Sequence, residues 1–125
     1  MRTRIATCVC GQLIARCLGD PAQVSLCHCL TCQRRTGSTY GIAAFFPQES
    51  VVVTGDTQAY SRSSDSRHSV TFHFCPHCGS TVYWKAARKP EMVAVAVALS
   101  QIRRFQRPLR PSTANTGING FRAGQ

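Results

Sequence analysis

The stretch VTFHFCPHCGSTVYW, Val70 to Trp84, decides how the chain is read. Ahead of the cysteines, Val70, Phe72 and Phe74 alternate with Thr71 and His73, the period-two pattern of a half-buried strand with His73 on its polar face. Behind them, Thr81 to Trp84 is β-branched and aromatic and predicts a second strand. Between lies Cys75-Pro76-His77-Cys78-Gly79, whose glycine lets the backbone curl so that amide N–H groups face the thiolates. Two strands joined in this way form a zinc knuckle. The fold expected from it is mainly β, with metal set into the strand ends.

Cys8-Val9-Cys10-Gly11 is a tighter version of the same device. The two knuckles together offer Cys8, Cys10, Cys75 and Cys78, a complete tetrahedral set for a structural zinc with Zn–S near ~2.3 Å. Structural zinc contributes on the order of 10–16 kcal/mol to folding, enough to fix a domain whose core alone would be marginal. A third cluster, Cys27, Cys29 and Cys32, has C-x-C-x-x-C spacing and is one ligand short. Spacing alone leaves open whether His28, His68, His73, His77 or Cys17 completes it. Cys17, the only isolated cysteine of the eight, reads as a small buried hydrophobe on a strand.

Elsewhere the chain alternates short apolar runs with turns. Gln12 to Leu18 predicts a first strand ended by Gly19-Asp20-Pro21, Ser38 to Phe46 another closed by Pro47, and Ser50 to Thr54 a third that stops at Gly55. Val93 to Leu99 reads as a buried strand. Thr31 to Thr36, capped by Gly37, is the single short helix expected. With 43% hydrophobic and 16% charged residues the composition is that of a globular domain, and no internal repeat or linker divides it. The first dozen residues carry no apolar run of signal-peptide length, and Met92 to Leu99 is too short to cross a bilayer, so the expected compartment is the cytoplasm. A reducing compartment turns eight cysteines toward metal rather than disulfides.

The formal charge of +10 suggests nucleic acid at first sight. Residues 1–100, however, hold ten Lys+Arg against five Asp+Glu, and the other five basic residues lie in the last twenty-five positions. Seven thiolates on two zinc ions would remove three further charges. The folded part is then mildly basic, which suits a small anion as well as a polynucleotide.

Taken together, Cys8-Val9-Cys10-Gly11, Cys27-His28-Cys29 with Cys32 and then Arg34, Arg35, Thr36 and Gly37, the Ser63-Ser64 region, Phe74 to Ser80 and Tyr83-Trp84 resemble the glutathione-dependent formaldehyde-activating enzyme family, whose domain is shared with centromere protein V. The resemblance implies a fold of several small coiled antiparallel β-sheets carrying two zinc ions. It assigns Cys8, Cys10, Cys75 and Cys78 to the structural ion and Cys27, Cys29 and Cys32 to a second ion with an open position, taken by water, hydroxide or a substrate thiol. The activity it implies is that of a carbon–sulfur lyase, making or cleaving S-hydroxymethylglutathione or a similar thiol–aldehyde adduct. Glutathione carries two carboxylates, so Arg34 and Arg35 are the expected substrate-binding cations. No role is expected for His28 or His73.

The quoted motifs end near Val97, which sets the expected organisation at a zinc-binding domain over 1–97 and an atypical basic tail over 98–125, rich in arginine, proline, serine and asparagine. Back-translation with a two-base offset permits the Asp-Pro segment and the histidine and tryptophan ending of the family, so a frameshift near Val97 is the expected origin of the tail. The competing reading is a non-catalytic zinc module that binds a thiol, a protein or nucleic acid through its basic surface and tail.

Overall fold

The hairpin predicted from Val70 to Trp84 is the pairing of β7 (Ser69–Phe74) with β8 (Thr81–Ala86) in a computed structural model that describes residues 2–63 and 67–96. Before it come β1 (Thr3–Thr7), β2 (Ile14–Leu18), β3 (Gln23–Cys27), helix α1 (Leu30–Thr36), β4 (Gly41–Pro47), a 3-10 turn at Gln48–Ser50, β5 (Val51–Thr54) and β6 (Gln58–Ser63); β9 (Met92–Ala96) follows. The strands form two antiparallel sheets, ordered β1-β2-β5 and β3-β4-β9-β8-β7-β6. The mainly β architecture expected from the sequence is thus present. The frameshift and tail expectations, and the end of the strand expected to reach Leu99, lie outside the described residues.

One face of the six-stranded sheet packs on the three-stranded sheet. Ala44 and Phe46 of β4, Val82 of β8, and Val93 and Val95 of β9 meet Ala6, Leu13, Ala15 and Cys17 from the other layer. Cys17 is buried there, as its isolation in the sequence suggested. The opposite face gathers Ala43, Phe72, Trp84, Ala94 and Ala96, with Phe45 and Val70 alongside. Successive residues of β4 therefore serve opposite faces, and both faces carry apolar clusters. A bulge opposite His73 and Phe74 leaves Val82 unpaired, and Val82 and Tyr83 in succession pack on the first core.

Strands β1, β3 and β6 were not expected from the sequence, and β2 is accordingly the second strand rather than the first. All three lie at sheet edges. An edge strand buries few side chains, so selection for an alternating apolar pattern is weak. β3 buries none of its five residues fully and β6 none of its six. The strand expected from Ser38 begins only at Gly41, since Thr36 and Ser38 tie up the preceding turn: the Ser38 hydroxyl donates to the Tyr40 carbonyl at 2.7 Å. His73 is half-buried rather than on an open polar face. Its ring stacks on Tyr83 at 4.5 Å with an interplanar angle of 1°.

Candidate metal centres

The two knuckles are built alike. In the β1–β2 turn, the Cys8 amide donates to the Leu13 carbonyl at 3.0 Å and the Gly11 amide to the Cys8 carbonyl at 3.1 Å. In the β7–β8 turn, the Cys75 amide donates to the Ser80 carbonyl at 2.9 Å and the Gly79 amide to the Cys75 carbonyl at 2.8 Å. Gly11 and Gly79 take φ of 88° and 81°, which side chains other than glycine rarely adopt. The turns bring the sulfurs of Cys8, Cys10, Cys75 and Cys78 within 4.8 Å of one another. Cys8 and Cys10 are 3.5 Å apart and Cys10 and Cys75 3.7 Å, close to the edge of about 3.8 Å that a ~2.3 Å bond length gives a tetrahedron.

Donors already face these sulfurs. The Leu13 amide reaches Cys8 Sγ at 3.3 Å, the His77 amide reaches Cys75 Sγ at 3.3 Å, and the Gln12 side-chain amide reaches Cys75 Sγ at 2.9 Å. The Ser80 hydroxyl lies 3.3 Å from Cys78 Sγ while its oxygen accepts from the Val9 amide, which ties one knuckle to the other. The Ser80 hydrogen bond, above all, pulls the Cys78 thiol down to about 5. Burial raises Cys75, but donors led by Gln12 outweigh it and leave that thiol below its ordinary value. For Cys10 the Gln12 amide pulls down, while Cys8, burial, Cys75 and Cys78 push up and hold it at about 11. Four crowded sulfurs with donors aimed at them make a set that suits zinc.

The second cluster spans the junction of β3 and α1. Cys27 ends β3, Cys29 is the N-cap of α1 in extended conformation, and Cys32 lies in the first turn, where its amide donates to Cys29 Sγ at 3.4 Å. Gly37, at φ 71°, closes the helix by donating to the Gln33 carbonyl at 2.8 Å. The three sulfurs lie within 4.8 Å of one another, and among the described residues no further Cys, His, Asp or Glu joins them. None of the candidates that spacing left open joins the trio: Cys17 is in the core, His77 lies 3.2 Å from Asp56, His73 stacks on Tyr83, His28 is exposed beside the Tyr40 ring, and His68 lies outside both clusters. Burial, reinforced by Cys27 and Cys29, pushes the Cys32 thiol up to about 12. Cys32 therefore resists ionisation in the bare trio, and a cation is what would turn it into a thiolate.

This trio opens on a cleft of about 360 Å³ between α1 and the outer face of the larger sheet. Arg35 lies across it, its guanidinium 4.6 Å from the centre of a Trp84 ring and 5.2 Å from Phe72, and its Nε is buried without a hydrogen-bond partner. Arg62 of β6 also sits 5.2 Å from the centre of the Phe72 ring, and Arg88 completes the cationic lining. Gly41 makes room for this arrangement, since a Cβ there would stand 2.8 Å from Arg35 Nη2 and 3.8 Å from Cys32 Sγ. Of the two arginines singled out in the sequence, Arg35 lines the cleft, whereas Arg34, about 100° further round the helix, is exposed and does not. Arg62 and Arg88 were not anticipated. Neither adjoins a cysteine motif, and only sheet pairing brings them to the trio.

The motifs and geometry agree with comparison to known proteins. The family model described as glutathione-dependent formaldehyde-activating enzyme matches residues 3–115, continuing past Val97. A crystal structure of a Rhodobacter sphaeroides protein is similar at 25% identity and a TM-score of 0.59, over 76% of this chain and 85% of that one. A search of curated proteins gives no match. Among the described residues no helix is long and apolar enough to cross a membrane. With the family model matching residues 3–115 and both cysteine clusters placed so that they could hold metal, the chain belongs to the glutathione-dependent formaldehyde-activating enzyme family.

Proposed function

We propose that the protein is a zinc-dependent carbon–sulfur lyase that forms or cleaves S-hydroxymethylglutathione or a similar thiol–aldehyde adduct. One observation carries the reading: a three-thiol cluster and a set of guanidiniums share a single cleft. Cys8, Cys10, Cys75 and Cys78 would hold a structural zinc, and Cys27, Cys29 and Cys32 a second. Zinc at the second site would supply a Lewis acid able to lower the pKa of a substrate thiol or polarise an aldehyde oxygen.

The chain itself supplies binding and orientation. Arg35, its planar fork steadied on Trp84, receives a substrate carboxylate in bidentate fashion. Arg62 and Arg88 extend the positive field to a second carboxylate. Phe45, Phe72 and Trp84 form an apolar wall that excludes water from the reacting end. All eight cysteines are free thiols, and we place the activity in the reducing cytoplasm.

Calorimetric titration of the zinc-loaded chain with glutathione, with metal content measured in parallel, tests the reading. Zinc-dependent binding is expected, and Arg35→Gln is expected to weaken it roughly ten- to a hundredfold, the loss of a charged hydrogen-bonded contact. Salt-sensitive DNA binding without affinity for glutathione would instead favour the non-catalytic module.

A further inference from the structure

Among the described residues, every charged side chain that lines the cleft is an arginine: Arg35, Arg62 and Arg88. The acidic residues described lie elsewhere. Asp20 pairs with Arg4, Asp56 meets His77 at 3.2 Å, and neither Glu49 nor Glu91 reaches the cleft. Apart from the cysteines and Ser25, the remaining lining is apolar, with Ile42, Phe45, Val70, Phe72 and Trp84 as its larger members. Such a surface welcomes carboxylates and hydrocarbon. An ammonium group there would face like charges, and burying it against an apolar wall would cost it its hydration.

Glutathione brings two carboxylates, but it also brings a free α-ammonium. The lining accommodates the first and opposes the second. From this we infer that the cleft is selective for thiols, and their aldehyde adducts, that carry carboxylates on an apolar body and have no free ammonium. N-acylated or simple mercapto-carboxylic acids are of this class. The inference rests on the lyase reading above, since it supposes that the thiol occupies the cleft beside the three cysteines, and it names the chemical class that site prefers.

The test uses S-methylglutathione and N-acetyl-S-methylglutathione on the full-length, zinc-loaded chain, followed by calorimetry. Their thioethers mimic the S-alkyl adduct and remove differences in thiol ionisation. The N-acetyl form is expected to bind at least about tenfold more tightly, the factor that ~1.4 kcal/mol makes. In Arg88→Glu, a charge reversal at an exposed position, the ratio is expected to fall toward one or below, because the ammonium gains a partner. Equal binding of the two ligands, or tighter binding of the unacetylated one, overturns the inference, as does an unchanged ratio in Arg88→Glu. If neither thioether binds while glutathione still binds in a zinc-dependent way, the inference falls and the lyase reading stands. If glutathione fails to bind as well, the lyase reading falls and takes the inference with it.

Discussion

Replacing Gly55 with alanine tests how the four-cysteine cluster is braced. Gly55 ends β5 at φ 107°, and a Cβ there would stand 2.2 Å from the Gln12 carbonyl oxygen and 2.9 Å from its Oε1. Gln12 is the brace: its Oε1 accepts from the Asp56 amide at 2.8 Å, its Nε2 donates to the Asp56 carbonyl at 2.9 Å, and the same Nε2 reaches Cys75 Sγ at 2.9 Å. Holding a non-glycine residue in this backbone region costs about 1–3 kcal/mol. Opening the 2.2 Å contact to an ordinary distance requires a shift near 1 Å, another ~1–3 kcal/mol of overpacking. A combined loss of about 3 kcal/mol, at roughly 4–8 °C per kcal/mol for a domain of this size, lowers Tm by about 12–24 °C. Gly37→Ala is the control, since Gly37 also has positive φ but a Cβ there meets nothing within 4 Å. It should lose only about 1 kcal/mol. Thermal melts by circular dichroism, with zinc release to a chromogenic chelator followed in parallel, provide the assay. A Gly55→Ala melt no lower than that of Gly37→Ala, with zinc held as tightly, would refute the brace.

Cys75→Ser is expected to remove one metal and unfold the domain, because the buried Cys75 sulfur accepts from both the Gln12 side chain and the His77 amide within the four-sulfur cluster; a normal melt with full metal content contradicts this. Cys29→Ser should leave the fold largely intact and lower metal content at the second site alone, whereas global unfolding would mean that this cluster also staples the scaffold. His73, depressed by burial and then by Lys85, binds protons less readily folded than unfolded, so its contribution is present above about pH 6.5 and is lost on acidification. His73→Phe, which keeps a ring against Tyr83, should therefore show a shallower fall in stability than the parent between pH 7 and 5, and parallel curves would exclude His73 as the source. We also propose the frameshift as the origin of residues 98–125. Sequencing the coding DNA across codon 97 checks it: a family-like ending is expected in the offset frame, and stop codons there remove the proposal.

The cysteine clusters were legible because local chemistry writes them into short motifs. C-x-C-G and C-x-x-C-G place two sulfurs and a glycine on one turn whatever surrounds them, and the alternation of Val70, Phe72 and Phe74 declares a strand that buries one face. The central strands were likewise readable because burial imposes apolar runs on them. The edge strands β1, β3 and β6 were not, since solvent on one side leaves their composition almost free. The cleft was the least accessible feature. Arg35, Arg62 and Arg88 lie on separate elements, and their meeting beside Cys27, Cys29 and Cys32 depends on β9 entering between β4 and β8 and on Gly41 leaving room for a guanidinium. The sequence by itself therefore determined which sulfurs share a turn. Only the tertiary structure brought the two knuckles together, with Cys10 Sγ 3.7 Å from Cys75 Sγ, and decided which cations confront the trio, because a knuckle is a contact between near neighbours in the chain, whereas a four-sulfur set or a binding surface is a contact between distant ones.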